Sequence, residues 1–157
     1  MTPPPPPRRI LMTADTVGGV WTYALDLCRG LAAHDIQVVL ATMGGVPNAH
    51  QRAEVAALGS AVQLHESDYL LEWMDDPWRD VAAAGEWLLE LERIHAPDVV
   101  HLNGYAHAAL PWSSPTLVVA HSCVYSWWRA VKREAPPDHW HTYHTAVRRG
   151  LEHADLV

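Results

Sequence analysis

The chain has no phenylalanine, only two cysteines, and no apolar run near the roughly 18 residues that a membrane-spanning helix requires. Cys28 and Cys123 are too few for a disulfide framework, and Cys28 lies on the apolar face of an expected helix, so the sequence reads as that of a reducing, cytoplasmic protein. Basic charge is scarce: 11 Lys and Arg stand against 18 Asp and Glu, for a net charge of −7 with histidine neutral. That balance argues against nucleic acid as the main partner, because a phosphate backbone is held by a basic surface. The N-terminus lacks the leucine-rich core of a secretory signal and carries Pro3 to Pro7, which reads as a disordered polyproline leader over residues 1–8. A G-x-G-x-x-G fingerprint, the Lys-Ser/Thr tail of a P-loop and an acidic residue closing the second strand are also missing, which disfavours a dinucleotide oxidoreductase.

Of the 157 residues, 49% are hydrophobic and 18% charged, the composition of one globular domain with a real core. The stretch from Ile10 to Leu31 organises the chain. Ile10 to Ala14 reads as a short buried strand that stops at Asp15, and a turn on Gly18 and Gly19 follows. Val20, Ala24, Leu27, Cys28 and Leu31 then mark one face of a helix. The first turn of such a helix offers unpaired N–H groups and the positive end of the helix dipole. Two glycines there let a phosphate or carboxylate come close, although the same pattern serves equally as a tight turn with no ligand.

Further along, Gln37 to Thr42, Ala61 to Leu64, Asp98 to Leu102 and Thr116 to Ala120 read as strands. Helices are expected over Gln51 to Leu58, from Pro77 to just before Pro97, and from Asp138, as N-cap, to His153. Asp68 to Asp76 reads as a loop helix or lid, and Asp155 to Val157 as the opening of a sixth strand. Strands alternating with helices define an α/β fold: a doubly wound, mostly parallel, Rossmann-like sheet with helices on both faces. Ligands of such sheets sit beyond the C-terminal strand ends, which gathers the loops after Asp15, Leu102 and Ala120. Nine of the 18 acids fall between Glu66 and Glu92, while Arg129, Lys132, Arg133, Arg148 and Arg149 gather later, either as two solvated faces or as a basic rim for an anionic substrate. His139, His141 and His144 cluster in HWHTYH, but their spacing fits no common zinc pattern and no metal is expected. Eight tryptophans offer stacking surfaces, with core packing the ordinary role for most.

As a set, TADTVGGVWTYALDLCRGLAAHDIQVVLATMG, PDVVHLNGYAHAAL, TLVVAHSC and RRGLEHADLV resemble the N-terminal domain of family-4 retaining glycosyltransferases, enzymes of two facing Rossmann-like domains (the GT-B type). The resemblance covers residues 9–157 and implies an acceptor-side domain. By that resemblance Gly18 and Gly19 approach the donor phosphate or the acceptor, and Trp21 faces the acceptor. Asn103, Gly104, Tyr105 and His107 occupy an acceptor loop, and His121 is the catalytic-cleft histidine that contacts the transferred sugar. The donor is a nucleotide-sugar and no cofactor is implied. An E-x7-E motif and a C-terminal donor-binding domain are absent, so the chain is expected to be truncated, to need a separate C-terminal half, and to be inactive alone. An edge left open by the unfinished sixth strand would favour self-association. The alternative is a non-catalytic sugar- or nucleotide-binding module derived from such an enzyme.

Overall fold

The computed structural model describes residues 5–157. Much of the expected leader, residues 1–4, therefore lies outside the described residues, and Pro5 to Pro7 carry no regular secondary structure. Five strands, β1 (Arg9–Asp15), β2 (Gln37–Met43), β3 (Val62–Glu66), β4 (Val99–Leu102) and β5 (Thr116–Val118), form one sheet in the order β3-β2-β1-β4-β5. Every pairing is parallel. The near-continuous apolar strands follow from this arrangement, because both faces of a parallel sheet are covered.

The helices are α1 (Gly19–Ala32), α2 (Ala49–Ala56), α3 (Trp78–His95), α4 (Val124–Trp127, prolonged by a π-helical turn to Lys132) and α5 (His141–His153). Period-two alternation along β1 sends Ile10, Met12 and Ala14 into one apolar layer with Ala24, Leu25 and Cys28 of α1 and Val55 of α2. Leu11 faces the opposite layer, with Ala84, Leu88 and Leu91 of α3 and Tyr143 and Val147 of α5. Thr13 and Asp15 share the parity of Leu11 and so continue that second face towards the strand ends.

Several expectations shift. The buried stripe of α1 is Trp21, Ala24, Leu25 and Cys28: Ala24 and Cys28 are as expected, Trp21 and Leu25 join them, and Leu27 and Leu31 are only partly buried. The last helix begins at His141 rather than with Asp138 as N-cap: Asp138–Trp140 form a 3-10 turn ahead of it. β5 ends at Val118, and residues 68–76 form turns instead of a helix, with Leu71 and Glu72 buried. Leu156 makes a parallel bridge to Leu117, with the Val118 N–H donating to the Leu156 carbonyl at 2.9 Å, so the chain's last residues run beside β5 as expected. Gly150 of α5 lies against the loop after β4, where a Cβ would sit 1.9 Å from the Tyr105 carbonyl oxygen.

Candidate functional site

The chain leaves β1 for the β2 side of the sheet and returns to β4 on the other, so the strand order switches direction between β1 and β4. At that switch point the loops after β1, β4 and β5 meet residues 70–73 and the region from Ser122 to Tyr143 around a cleft of about 610 Å³. Gly18, Gly19, Asn103, Gly104, Tyr105, His107 and His121 all line it. Gly18 has φ of +78°, a left-handed conformation that glycine adopts without strain. Gly19 has no such requirement, and a Cβ on it would meet nothing within 4 Å. No side chain caps α1 and its first turn holds no acid, so no side-chain partner occupies its first N–H groups, and Gly18, Gly19 and Val20 line the cleft. The loop itself is anchored: Thr16 N–H donates to the Met43 carbonyl at 2.9 Å, and Gln51 Nε2 donates to the Thr16 carbonyl at 2.8 Å.

Asn103 is oriented by β1. Its backbone N–H donates to Thr13 Oγ1 at 2.9 Å and its Nδ2 to the Thr13 carbonyl at 2.7 Å. Oδ1 is thereby turned to His121 Nε2, 2.8 Å away. An amide oxygen only accepts, so Nε2 carries the hydrogen and Nδ1 is the lone-pair nitrogen of the neutral ring. Tyr23 packs edge-on against that ring with centroids 4.6 Å apart, and burial holds the His121 pKa below its ordinary value. The result is an imidazole at the cleft wall that is open to solvent yet oriented by Asn103 and Tyr23.

Two buried carboxylates also line the cleft, and neither was singled out by its sequence context. Glu72 accepts from the Ala106 N–H at 2.7 Å and the Tyr105 N–H at 3.1 Å. Burial pushes its pKa up while those two amides pull it down. Asp15 is 9% exposed, with the Trp73 side chain as its hydrogen-bonding neighbour and no cation beside it in the cleft lining. Burial first, and the Glu72 charge second, push its pKa up to about 7, with the Trp73 side chain opposing. Strand parity was the available signal for Asp15, because Leu11, Thr13 and Asp15 share a face. Glu72 sits in a stretch without periodicity, which offered none.

Not every cleft residue has free polar atoms. His107 Nε2 lies 2.8 Å from the Val81 carbonyl of α3, and Tyr105 Oη donates to the Ser122 carbonyl at 3.1 Å. Both side chains hold the β4 loop in place. Trp73 and Trp127, 43% and 48% exposed, stand at the mouth, and Trp140 and Tyr143 continue the aromatic wall.

A sequence model of one family, Glycosyltransferase Family 4, matches residues 17–157. The chain belongs to that family. Among solved structures, this glycosyltransferase-family domain is similar to the crystal structure of CalG4, the calicheamicin glycosyltransferase, with 18% identity and a TM-score of 0.47 over 91% of this chain and 43% of that one. It thus spans less than half the length of that structure. No curated protein matches the domain in sequence.

One expected cleft residue of this family-4 domain is elsewhere. Trp21 is 6% exposed in the layer between β1, α1 and α2, and its Nε1 donates to Glu54 Oε2 at 2.9 Å. Of the two readings of the basic cluster, solvated face or basic rim, the cleft does not show the rim: no lysine or arginine lines it among the described residues. Lys132 instead lies over the Trp127 ring, 5.8 Å from its centroid, and Arg148 pairs with Glu152. In HWHTYH, His139 stacks on Trp140 and His144 on Tyr125, and no three metal-ligating side chains converge among the described residues. No described helix is long and apolar enough to cross a membrane.

Proposed function

We propose that this domain forms the acceptor-side wall of a retaining glycosyltransferase and works opposite a donor-binding half that presents a nucleotide-sugar. The observation that supports this most directly is the meeting of Gly18, Gly19, Asn103 and His121 around one cleft at the sheet's switch point. In this reading the free N–H groups of the first turn of α1 face the donor phosphates or a polar group of the acceptor. His121, neutral and fixed by Asn103, contacts the transferred sugar as a hydrogen-bonding group rather than as a base. The aromatic wall takes the apolar face of the acceptor, and the departing phosphate helps remove the acceptor proton.

Transfer requires both substrates in one geometry, and half a cleft forfeits most of that proximity and the charge stabilisation of the leaving diphosphate. The 157-residue chain alone therefore gives no transfer. Joined after Val157 to a family-4 donor-binding domain, or mixed with one, it releases nucleoside diphosphate from UDP-, ADP- or GDP-glucose as the glucosyl group passes to the hydroxyl of an added acceptor or to water. Gly19→Asp or His121→Ala greatly reduces that release. An acid in the first turn of a helix favours the helix, so loss of activity in Gly19→Asp reports a blocked approach rather than unfolding. Undiminished release in both variants overturns the site assignment. The outer edge beyond β5, where Leu156 and Val157 are 63% and 60% exposed, is where the chain would associate with a second copy. A sedimentation profile that stays monomeric at high concentration argues against that part.

A further inference from the structure

The charge of the cleft is one-sided. Among the described residues, its lining includes two acids, Asp15 and Glu72, and no lysine or arginine. The other titratable lining groups supply no compensating cation. His107 and His121 are held towards their neutral forms by burial, and Tyr105 and Tyr143 are pushed up by burial, Tyr105 to about 12.

Both carboxylates are presented to the cavity. Glu72 receives two backbone N–H groups, which support its ionised form but leave it without a counter-charge. Gly104 has no side chain to cover it, and a Cβ there would lie 3.7 Å from Glu72 Oε2. Asp15, nine-tenths buried, has the neutral Trp73 side chain as its hydrogen-bonding neighbour and likewise no counter-charge in the lining. A buried carboxylate without a counter-charge is costly, and a hydrogen-bonded cation offsets that cost. The surrounding wall is apolar and aromatic, through Leu71, Leu102, Trp128, Trp140 and Tyr143.

We propose that the cleft selects an acceptor carrying a protonated amine beside an apolar face, with the ammonium seated against the Asp15 and Glu72 carboxylates. This rests on the reading of the cleft as the acceptor wall, and it names the acceptor's charge class. An ammonium supplies the positive charge that the lining lacks, together with further donors to both carboxylates. A phosphorylated or carboxylated acceptor meets two acids and no cation. Anion-binding capacity is confined to the rim, at the first turn of α1, so a phosphate of the donor and an amine of the acceptor have separate places.

The test is calorimetric titration of the full 157-residue chain with three phenyl β-D-glucosides that differ only at C6, which bears an amine, a hydroxyl or a phosphate. The amine binds about tenfold or more tightly than the hydroxyl compound, the scale of one charge-assisted hydrogen bond, and the phosphate binds weakest. In Asp15→Asn and in Glu72→Gln the amine's advantage over the hydroxyl compound shrinks. An amine that binds no better than the hydroxyl compound, a phosphate that binds best, or an undiminished advantage in Asp15→Asn overturns the proposal while leaving the acceptor-wall reading intact. If none of the three glucosides binds, the acceptor-wall reading falls and this proposal with it. Should either variant fail to fold, the comparison of the three glucosides on the unaltered chain decides.

Discussion

Replacing Asp15 by asparagine should stabilise the domain, by an amount set by pH. The carboxyl of Asp15 has its pKa raised from 3.8 to about 7 in the folded chain, because burial and the Glu72 charge both disfavour ionisation. Between those two values the unfolded chain has released the proton and the folded chain retains it, so stability falls as pH rises. A shift of about three units at 1.36 kcal/mol each amounts to about 4 kcal/mol, fully expressed above pH 7. The asparagine has no charge to desolvate, so Asp15→Asn matches the parent near pH 4 and exceeds it by up to about 4 kcal/mol at pH 8. It also relieves Glu72 of a negative neighbour, which acts in the same direction. Urea unfolding of both proteins at half-unit steps of pH reads the difference directly, and histidine titrations common to both proteins largely cancel in the subtraction. A difference that is flat with pH, or that grows towards acid, refutes the argument that Asp15 is buried beside an uncompensated Glu72.

Other outcomes follow from separate features. Gly150→Ala forces a methyl into the space of the Tyr105 carbonyl oxygen and should cost about 3 kcal/mol or more despite alanine's better helix propensity, read as a lowered midpoint in thermal or urea unfolding; a variant as stable as the parent shows that α5 does not press on the β4 loop. Trp21→Phe removes the Nε1 bond to Glu54 and some packing, so it should cost about 1–3 kcal/mol while leaving ligand binding at the cleft unchanged; weaker binding with unchanged stability would return Trp21 to the cleft. On the acid side, His65, His95, His101, His107 and His121 all have pKa values lowered from 6.5 by burial. Their contribution to stability is complete above that value and is lost as pH falls through it, opposite in sign to Asp15. NMR titration of the imidazole signals should place these midpoints below 6.5, and midpoints above it would contradict their burial.

The sheet was legible because a parallel strand covered on both faces is written as an unbroken apolar run. IleLeuMet in β1 and the Val38–Ala41 stretch of β2 carry that pattern unmistakably. The convergence of the Gly-Gly loop, Asn103 and His121 followed from the rule for strand C-termini and needed no side-chain detail. Helix phase was harder. In α1 both Val20, Leu27, Leu31 and Trp21, Leu25 are apolar, and the choice between the two stripes is made by α2, whose Glu54 receives the Trp21 indole, a tertiary partner that a local period cannot reveal. The start of α5 was misplaced because Asp138 has the chemistry of an N-cap, while Pro137 and the packing around it set a 3-10 turn first. Glu72 escaped notice for a related reason: an acid between Leu71 and Trp73 looks solvent-facing until the amides of Tyr105 and Ala106, more than 30 positions away, are seen to enclose it.

Gln51 has a consequence beyond local geometry. Its backbone N–H binds the Asn48 side chain, its Oε1 returns to the Asn48 N–H, and its Nε2 reaches across to Thr16. One side chain thereby welds the start of α2 to the loop that precedes Gly18. A ligand arriving at the first turn of α1 meets a loop whose conformational entropy was already surrendered on folding, so little ordering remains to be done at the moment of binding. Specificity there is then a matter of shape and charge rather than of adaptation.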